Sequence, residues 1–429
     1  MAPSIIRLGA AALAYASTAA AIEVYQLKES YTPSNFFDKF NFFSESDPNR
    51  GFVKYRNKED ASSLDLIKTG ADDVTISVDS TGTDQDGRSS VRLESVSTYS
   101  SGLFIADFAH FPKQACGAWP AFWMVGPSWP RDGEVDIYEG WNLNPANKVV
   151  LHTDDPAHVG SCVIQPGDFS STMVWANCWN NAPGQPGNTG CAVDETNGLH
   201  GNPAGGVYAT EWQEDRIRVW SWPQDQVPAN VRSANPDPSQ WGMPSFAAGG
   251  ETCDVKRAFN NMRMILNINF CGDAAGNPGN WGECQAQTQT EECYTYVQWH
   301  PEAFAETYWK IRGINVYQLE EVTVTSTSTS STEISSTTSS TETSTSASTI
   351  ETSASTSSTE TSSSSSTSTS STETSSSVTE ISSSTSSSAT SASTESSASA
   401  SSTETSTQIS TTASETVTSS SSTETATET

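Results

Sequence analysis

Short runs of alternating or continuous apolar residues recur along this chain, each closed off by Gly, Pro, Asn or Asp. The clearest are S-V-R-L-E-S-V, G-L-F-I-A-D-F, A-F-W-M-V, K-V-V-L-H-T, G-V-Y-A-T-E-W, R-I-R-V-W-S-W and M-I-L-N-I-N-F. Side chains alternate between the two faces of a strand, so runs of this length and pattern pair into sheets. Good helical periods are nearly absent. Y-A-T-E-W-Q-E-D-R-I-R-V-W reads as a hairpin turning at Gln213–Asp215. So many strands in one body predict an all-β fold, a two-sheet antiparallel sandwich of jelly-roll type, with W-K-I-R-G-I-N-V-Y-Q as its last strands.

Composition sets the limits of that body within the 429 residues. Residues 1–21 read as a secretory signal: Arg7 supplies the positive charge, an Ala/Leu-rich run follows, and S-T-A-A-A offers small residues for cleavage. From 323 to 429 the chain collapses to Ser, Thr, Glu and a little Ala, and Arg312 is the last basic residue. Such a tract has almost nothing to bury against the entropy of ordering its backbone, so a disordered, O-glycosylated stalk is expected. Glu333, Glu342, Glu351 and Glu360 recur at a fixed interval there, but no apolar face accompanies the period. Residues 22–322 remain for one large folded domain. No other segment is apolar enough to span a bilayer. The product is expected outside the cell, in the medium or at the wall, as a monomer.

The net charge of −29 includes eleven Glu of the tail, leaving −18 for the rest. An acidic body repels nucleic acid and anionic lipid but not a neutral polymer. All eight cysteines (116, 162, 178, 191, 253, 271, 284, 293) fall in the folded part, and an even count in an exported chain predicts disulfides. Their pairing stays open, with on the order of 100 combinations available. No Cys/His cluster has zinc spacing, so neither metal nor cofactor is expected. N-glycosylation sequons are absent from the sequence.

The most informative stretch is G-E-V-D-I-Y-E-G, Gly133 to Gly140. On an unbroken strand Glu134 and Asp136 share one face, while Glu139 joins Val135 and Ile137 in the core. Burying an unpaired carboxylate costs several kcal/mol, so that arrangement should not persist. A β-bulge at Ile137–Tyr138 resets the alternation and returns Glu139 to the face of Glu134 and Asp136. Rows of like charge are ordinarily avoided, but glycoside hydrolysis wants such a pair: one ionised carboxylate to attack, one protonated acid to donate. Asp136, between them, can influence which acid holds the proton.

This motif resembles the E-[hydrophobic]-D-x-x-E signature of glycoside hydrolase family 16 in its bulged, laminarinase-like form. The preceding C-G-A-W-P-A-F-W-M-V-G-P-S-W-P-R-D resembles the fungal secreted endo-1,3(4)-β-glucanases, as do G-L-F-I-A-D-F-A-H-F-P, L-H-T-D, N-F-F-D-K-F-N-F-F and D-P-N-R-G-F-V-K-Y. The resemblance covers roughly Tyr31 to Gln318. It implies a catalytic cleft across the concave sheet, no obligatory cofactor, Glu134 as nucleophile, Asp136 as helper and Glu139 as acid/base. It also directs attention to His152 in L-H-T, expected near Glu139 on the next strand.

Thirteen tryptophans suit a carbohydrate ligand, because an indole face matches the apolar face of a pyranose. Trp119, Trp123 and Trp129 lead into the acidic strand and are the expected substrate-binding residues. The resembling enzymes read C-G-D-W-A-G where this chain has Ala274 in C-G-D-A-A-G; either Trp281 replaces the lost platform from a shifted loop, as expected of a substrate-binding residue, or the subsite is weaker. The expectation is therefore a retaining endo-β-glucanase acting on β-1,3 or mixed β-1,3/1,4-glucan. A wall-remodelling transglycosylase and a non-catalytic glucan-binding wall protein are the alternatives; the bulged spacing counts against the first and the retained acids against the second.

Overall fold

The computed structural model describes residues 17–327. Two antiparallel eight-stranded sheets face one another. The first runs, edge to edge, Thr172–Trp175, Cys191–Glu195, Asn147–His152, Glu134–Glu139, Ala118–Val125, Arg263–Phe270, Arg92–Ser95 and Phe40–Phe43. The second runs Phe246–Gly249, Arg216–Pro223, Gly206–Gln213, Gly102–His110, Trp309–Thr327, Val74–Ile76 and Ile67–Thr69, with Ser17–Tyr31 also paired to Trp309–Thr327. Local hairpins alternate with pairings between strands far apart in sequence, as in a jelly roll. The expected hairpin is present: Gln213 pairs with Arg216, which leaves Glu214 and Asp215 as its turn.

The main core forms where the inner faces meet. Met124, Val135, Ile137, Tyr138 and Leu266 of the first sheet pack in one cluster with Phe104, Phe108, Tyr208 and Ile311 of the second. A smaller cluster lies elsewhere on the second sheet, where Leu103, Ile105, Val207 and Ala209 pack against Trp220 and Trp241. Alternation along Gly206–Gln213 explains both, since Val207 and Ala209 face one way and Tyr208 the other.

The first strand begins at Ser17, inside the expected leader, and its pairs from Ile22↔Val322 inward lie within the expected domain. Residues 1–16 of the leader and all of the tail beyond 327, including the recurring glutamates, lie outside the described residues.

Helix enters where the sequence showed no period. Pro278–Thr288 starts on Asn277, whose side chain accepts the Gly279 N–H, with proline in the first turn. A second short helix spans Cys293–Trp299. This corrects the expectation for Trp281. The residue sits on the first helix and not on a loop, is 3% exposed, and donates its indole N–H to the Thr290 carbonyl. It belongs to the core and presents no face to a ligand. Core demand took this indole because the helix needed an apolar residue against Tyr296, whose ring centroid is 6.2 Å away.

All eight cysteines are paired: Cys116–Cys284, Cys162–Cys253, Cys178–Cys191 and Cys271–Cys293. Two of them fasten the helical excursion to the first sheet. A bond of this kind typically contributes about 2–4 kcal/mol by restricting the unfolded chain.

Candidate active site

Two glycines frame the acidic strand for different reasons. Gly133 enters it at φ +78°, and a Cβ there would stand 2.5 Å from the Ala258 carbonyl oxygen. Gly140 leaves it against His200, whose ring carbon would lie 2.1 Å from a Cβ. Between them the ladder is regular at first, with Glu134 opposite Val125 and Asp136 opposite Trp123. The register then slips, so that Tyr138 faces Phe122 and Glu139 faces Ala121. Ile137 is the extra residue of a bulge.

Both Ile137 and Tyr138 are fully buried. Tyr138 stacks on Phe111 with ring centroids 4.9 Å apart and meets Trp309 edge-on at 5.0 Å. Two successive side chains thus go inward, and Asp136 and Glu139 emerge on the same face as Glu134. Aromatic packing holds the irregularity from beneath. On the other side, backbone pairing with Asn147–His152 stops at Asp136. There the Asn147 side chain takes over, its Oδ1 accepting the Glu139 N–H at 2.8 Å and its Nδ2 donating to the Ile137 carbonyl at 3.1 Å.

Each acid has its own surroundings. Trp119 Nε1 donates to Glu139 Oε1 at 2.8 Å, and Trp129, half exposed, donates its indole N–H to Glu134 Oε2. Asp136 is buried between them at 3% exposure. His152 lies opposite Glu134 in the ladder, with Nε2 3.4 Å from Asp136 Oδ2 and Nδ1 2.5 Å from Asn180 Oδ1. That Asp136 oxygen has no hydrogen-bond partner, so its link to His152 is charge contact. Farther along the face, Trp123 donates to Asn267 Oδ1 at 2.8 Å beneath the guanidinium of Arg92, 5.1 Å from the ring.

Burial pushes Glu139 up from the ordinary carboxyl range and the charge of Glu134 adds to it, against the Trp119 hydrogen bond and the positive His152 and Lys148. Asp136 is raised well above its usual value, by burial first and then by Glu134. Burial pulls His152 down, but Asp136 and Glu134 outweigh it and lift the imidazole to about 10. The cluster therefore carries a proton on the ring at neutral pH, and its raised carboxyls, Asp136 and Glu139, keep their protons to higher pH than ordinary acids. That is the condition for one acid to donate while a neighbour attacks. Glu134, Asp136 and His152 also bring potential ligand atoms within 4.8 Å of one another, but the protonated imidazole has no lone pair to offer a cation.

Glu134, Asp136, Glu139, His152, Trp119, Trp123 and Trp129 thus come together on one face, and Trp281 does not. Ala274 is half-buried on the short helix Gly272–Ala275, where the pattern would have placed an indole. Sequence reasoning missed Asn147, Asn180, Asn267 and Arg92. The last two lie on strands of the same sheet and share the acid face by alternation, a signal that register would have given. The other two asparagines have no periodic signature.

A family model described as an XgeA-like, catalytic GH16 domain matches residues 40–317. The endo-1,3(4)-beta-glucanase of Arthroderma benhamiae is 40% identical over 305 residues, covering 68% of this chain and 65% of that protein. The endo-1,3(4)-beta-glucanase xgeA of Emericella nidulans is 38% identical, covering 73% of this chain and 50% of its own length. The chain thus spans less than two thirds of either relative. Among solved structures, an elongating GH family 16 beta-1,3-glucosyltransferase is 38% identical with a TM-score of 0.63, covering 68% of this chain and all of its own. GH16 Laminarinase 16A from Phanerochaete chrysosporium, with beta-glucans in donor and acceptor sites, is 32% identical with the same TM-score, covering 70% of this chain and 100% of its own.

Proposed function

Because the chain belongs to glycoside hydrolase family 16, we propose that it is a secreted, monomeric endo-β-glucanase that cleaves internal β-1,3 or mixed β-1,3/1,4 bonds with retention. The observation that carries this reading is the bulge at Ile137, which lines up Glu134, Asp136 and Glu139 on one sheet face. Glu134 attacks the anomeric carbon while Glu139, its proton held by burial and by the charge of Glu134, gives that proton to the leaving glycosidic oxygen. Glu139, now anionic, removes a proton from water, which opens the glycosyl–Glu134 ester and restores both acids. Asp136 shares the excess proton with its neighbours, and His152 supplies the compensating positive charge. Trp119, Trp123 and Trp129 line the same face and offer indole surfaces to pyranose rings.

Laminarin, lichenan and cellulose assayed side by side test the substrate class, and proton NMR of the first product tests the mechanism. A β-configured initial product is expected; an α-product would overturn the retaining assignment. Glu134→Gln should reduce turnover by roughly 10³-fold or more with the fold intact. The likeness to an elongating glucosyltransferase supports a second reading, in which a sugar hydroxyl and not water opens the ester. Products longer than the starting laminari-oligosaccharide would favour it.

A further inference from the structure

A bulge leaves backbone groups without ladder partners, and a buried orphan is costly. In this strand the Ile137 carbonyl and the Glu139 N–H are both taken by one side chain, that of Asn147, which is itself fully buried. Asn147 is the first residue of its strand and stands opposite Glu195 in the next. An amide can be turned either way round, with opposite hydrogen-bonding consequences. Here only one orientation works: Nδ2 faces two acceptors, the Ile137 carbonyl and Glu195 Oε2 at 3.1 Å, while Oδ1 faces the Glu139 N–H.

Glu195 is 2% exposed. Its hydrogen-bond partners are the Asn147 amide, Tyr208 Oη at 2.7 Å and Ser221 Oγ, the last two from strands of the second sheet. All three donate, the complement of a carboxylate's acceptor-only oxygens. None carries a positive charge. A buried acid of this kind is seldom better for stability than a packed apolar side chain, so its presence asks for another reason.

We infer that Asn147 and Glu195 are positioning residues for proton transfer by Glu139: Asn147 replaces the rung lost at the bulge, and Glu195 fixes the orientation of its amide. The inference rests on Glu139 being the acid/base. Glu139 is then held on one side of its backbone by pairing to Ala121, on the other by the Asn147 side chain alone, and at its carboxyl by Trp119. Glu134 is held differently, by regular pairing to Val125 and His152 on either side. Loosening Asn147 therefore disturbs the proton donor and spares the nucleophile.

That asymmetry gives a readout that general damage to the fold would not. A glucan needs its leaving oxygen protonated, whereas a dinitrophenyl β-laminaribioside loses an already stable phenolate. The kcat/KM of each substrate is measured for wild type, Glu139→Gln, Asn147→Ala and Glu195→Met, with melting curves for all. Asn147→Ala is expected to lose about 100-fold on laminarin, the cost of a misplacement near 1 Å. It should stay within about 5-fold on the aryl glycoside, the same selectivity as Glu139→Gln. Glu195→Met keeps most of the volume and removes the acceptor that faces the Asn147 amide. Its selective loss on laminarin should be about 10-fold, roughly 1.4 kcal/mol, and it carries the test if Asn147→Ala does not fold. Equal losses on both substrates, or none, in the folded variants would overturn the inference. If Glu139→Gln itself shows no selectivity, the acid/base reading fails and not the clamp alone.

Discussion

Each sheet carries a buried acid on its own account, and the two are treated in opposite ways. On the second sheet Glu211, 2% exposed, receives Tyr25 Oη at 2.8 Å, Arg218 Nε at 2.6 Å and Arg216 Nε at 3.1 Å. Burial would raise its pKa, but the two guanidiniums and the tyrosine hold it below the usual carboxylate value. On the first sheet Asp136, 3% exposed, and the half-buried Glu139 have an imidazole, a lysine and one indole N–H as their favourable partners; both are raised. Burial is common to the two sites, so burial alone does not make a proton donor. What separates them is the withholding of arginine from the acid row.

The sharpest way to break that contrast is to neutralise one acid in each sheet. Glu139→Gln should reduce glucan hydrolysis by about 10²–10⁴-fold, the usual contribution of general acid catalysis, and leave the melting temperature unchanged or higher. Glu211→Gln should do the reverse: activity within about 2-fold, and stability lower by about 2–3 kcal/mol. The latter is set below the roughly 3–5 kcal/mol of a fully buried pair because both guanidiniums remain about a third exposed. Activity assays and thermal melts on the two variants decide it; a matched pattern in both would erase the distinction.

A second expectation concerns pH. Glu211, depressed in the folded state, stabilises above the unfolded carboxyl pKa of about 4.3 and loses that contribution as pH falls through its folded value. The raised carboxyls behave oppositely, because the folded protein binds their protons more tightly and loses that advantage as pH climbs from the unfolded value through the folded one. His152 adds stability that is complete below about 6.5 and fades as pH approaches 10. Melting curves across pH should therefore show the gap between wild type and Glu211→Gln closing in acid, and the gain from Glu139→Gln widening toward neutrality.

The smallest effect belongs to Trp119. Its indole N–H stabilises the ionised form of Glu139, so Trp119→Phe should move the basic limb of the kcat/KM profile to higher pH by less than about one unit. A shift to lower pH would mean that packing, and not the hydrogen bond, dominates there.

The acid row was legible because the sequence contradicted itself: Glu134, Asp136 and Glu139 cannot share one face while Val135 and Ile137 take the other unless the backbone slips at Ile137 or Tyr138. Hairpin and strands were legible from alternation, as at Gln213–Arg216. Trp281 was misplaced because an indole in a Gly/Asn-rich stretch looks like a loop platform, while the helix Pro278–Thr288 needed it inside. Asn147 and Asn180 were invisible for a different reason. Asn147 acts through three side-chain hydrogen bonds and Asn180 through one to His152, and no period announces a partner that only tertiary contact supplies. The disulfide pairing belongs to the same class.

The pairing of Ser17–Tyr31 with Trp309–Thr327 joins the earliest part of the described chain to the latest. Trp309–Thr327 also separates Gly102–His110 from Val74–Ile76 within its sheet. During vectorial synthesis at about 5–20 residues per second, that sheet stays divided until its closing strand emerges, some 15 seconds or more after the first. The acid-bearing sheet has no such dependence, since its last strand ends at Phe270. Every strand of the half proposed to do chemistry is thus already made while the half that braces it still waits for its final piece.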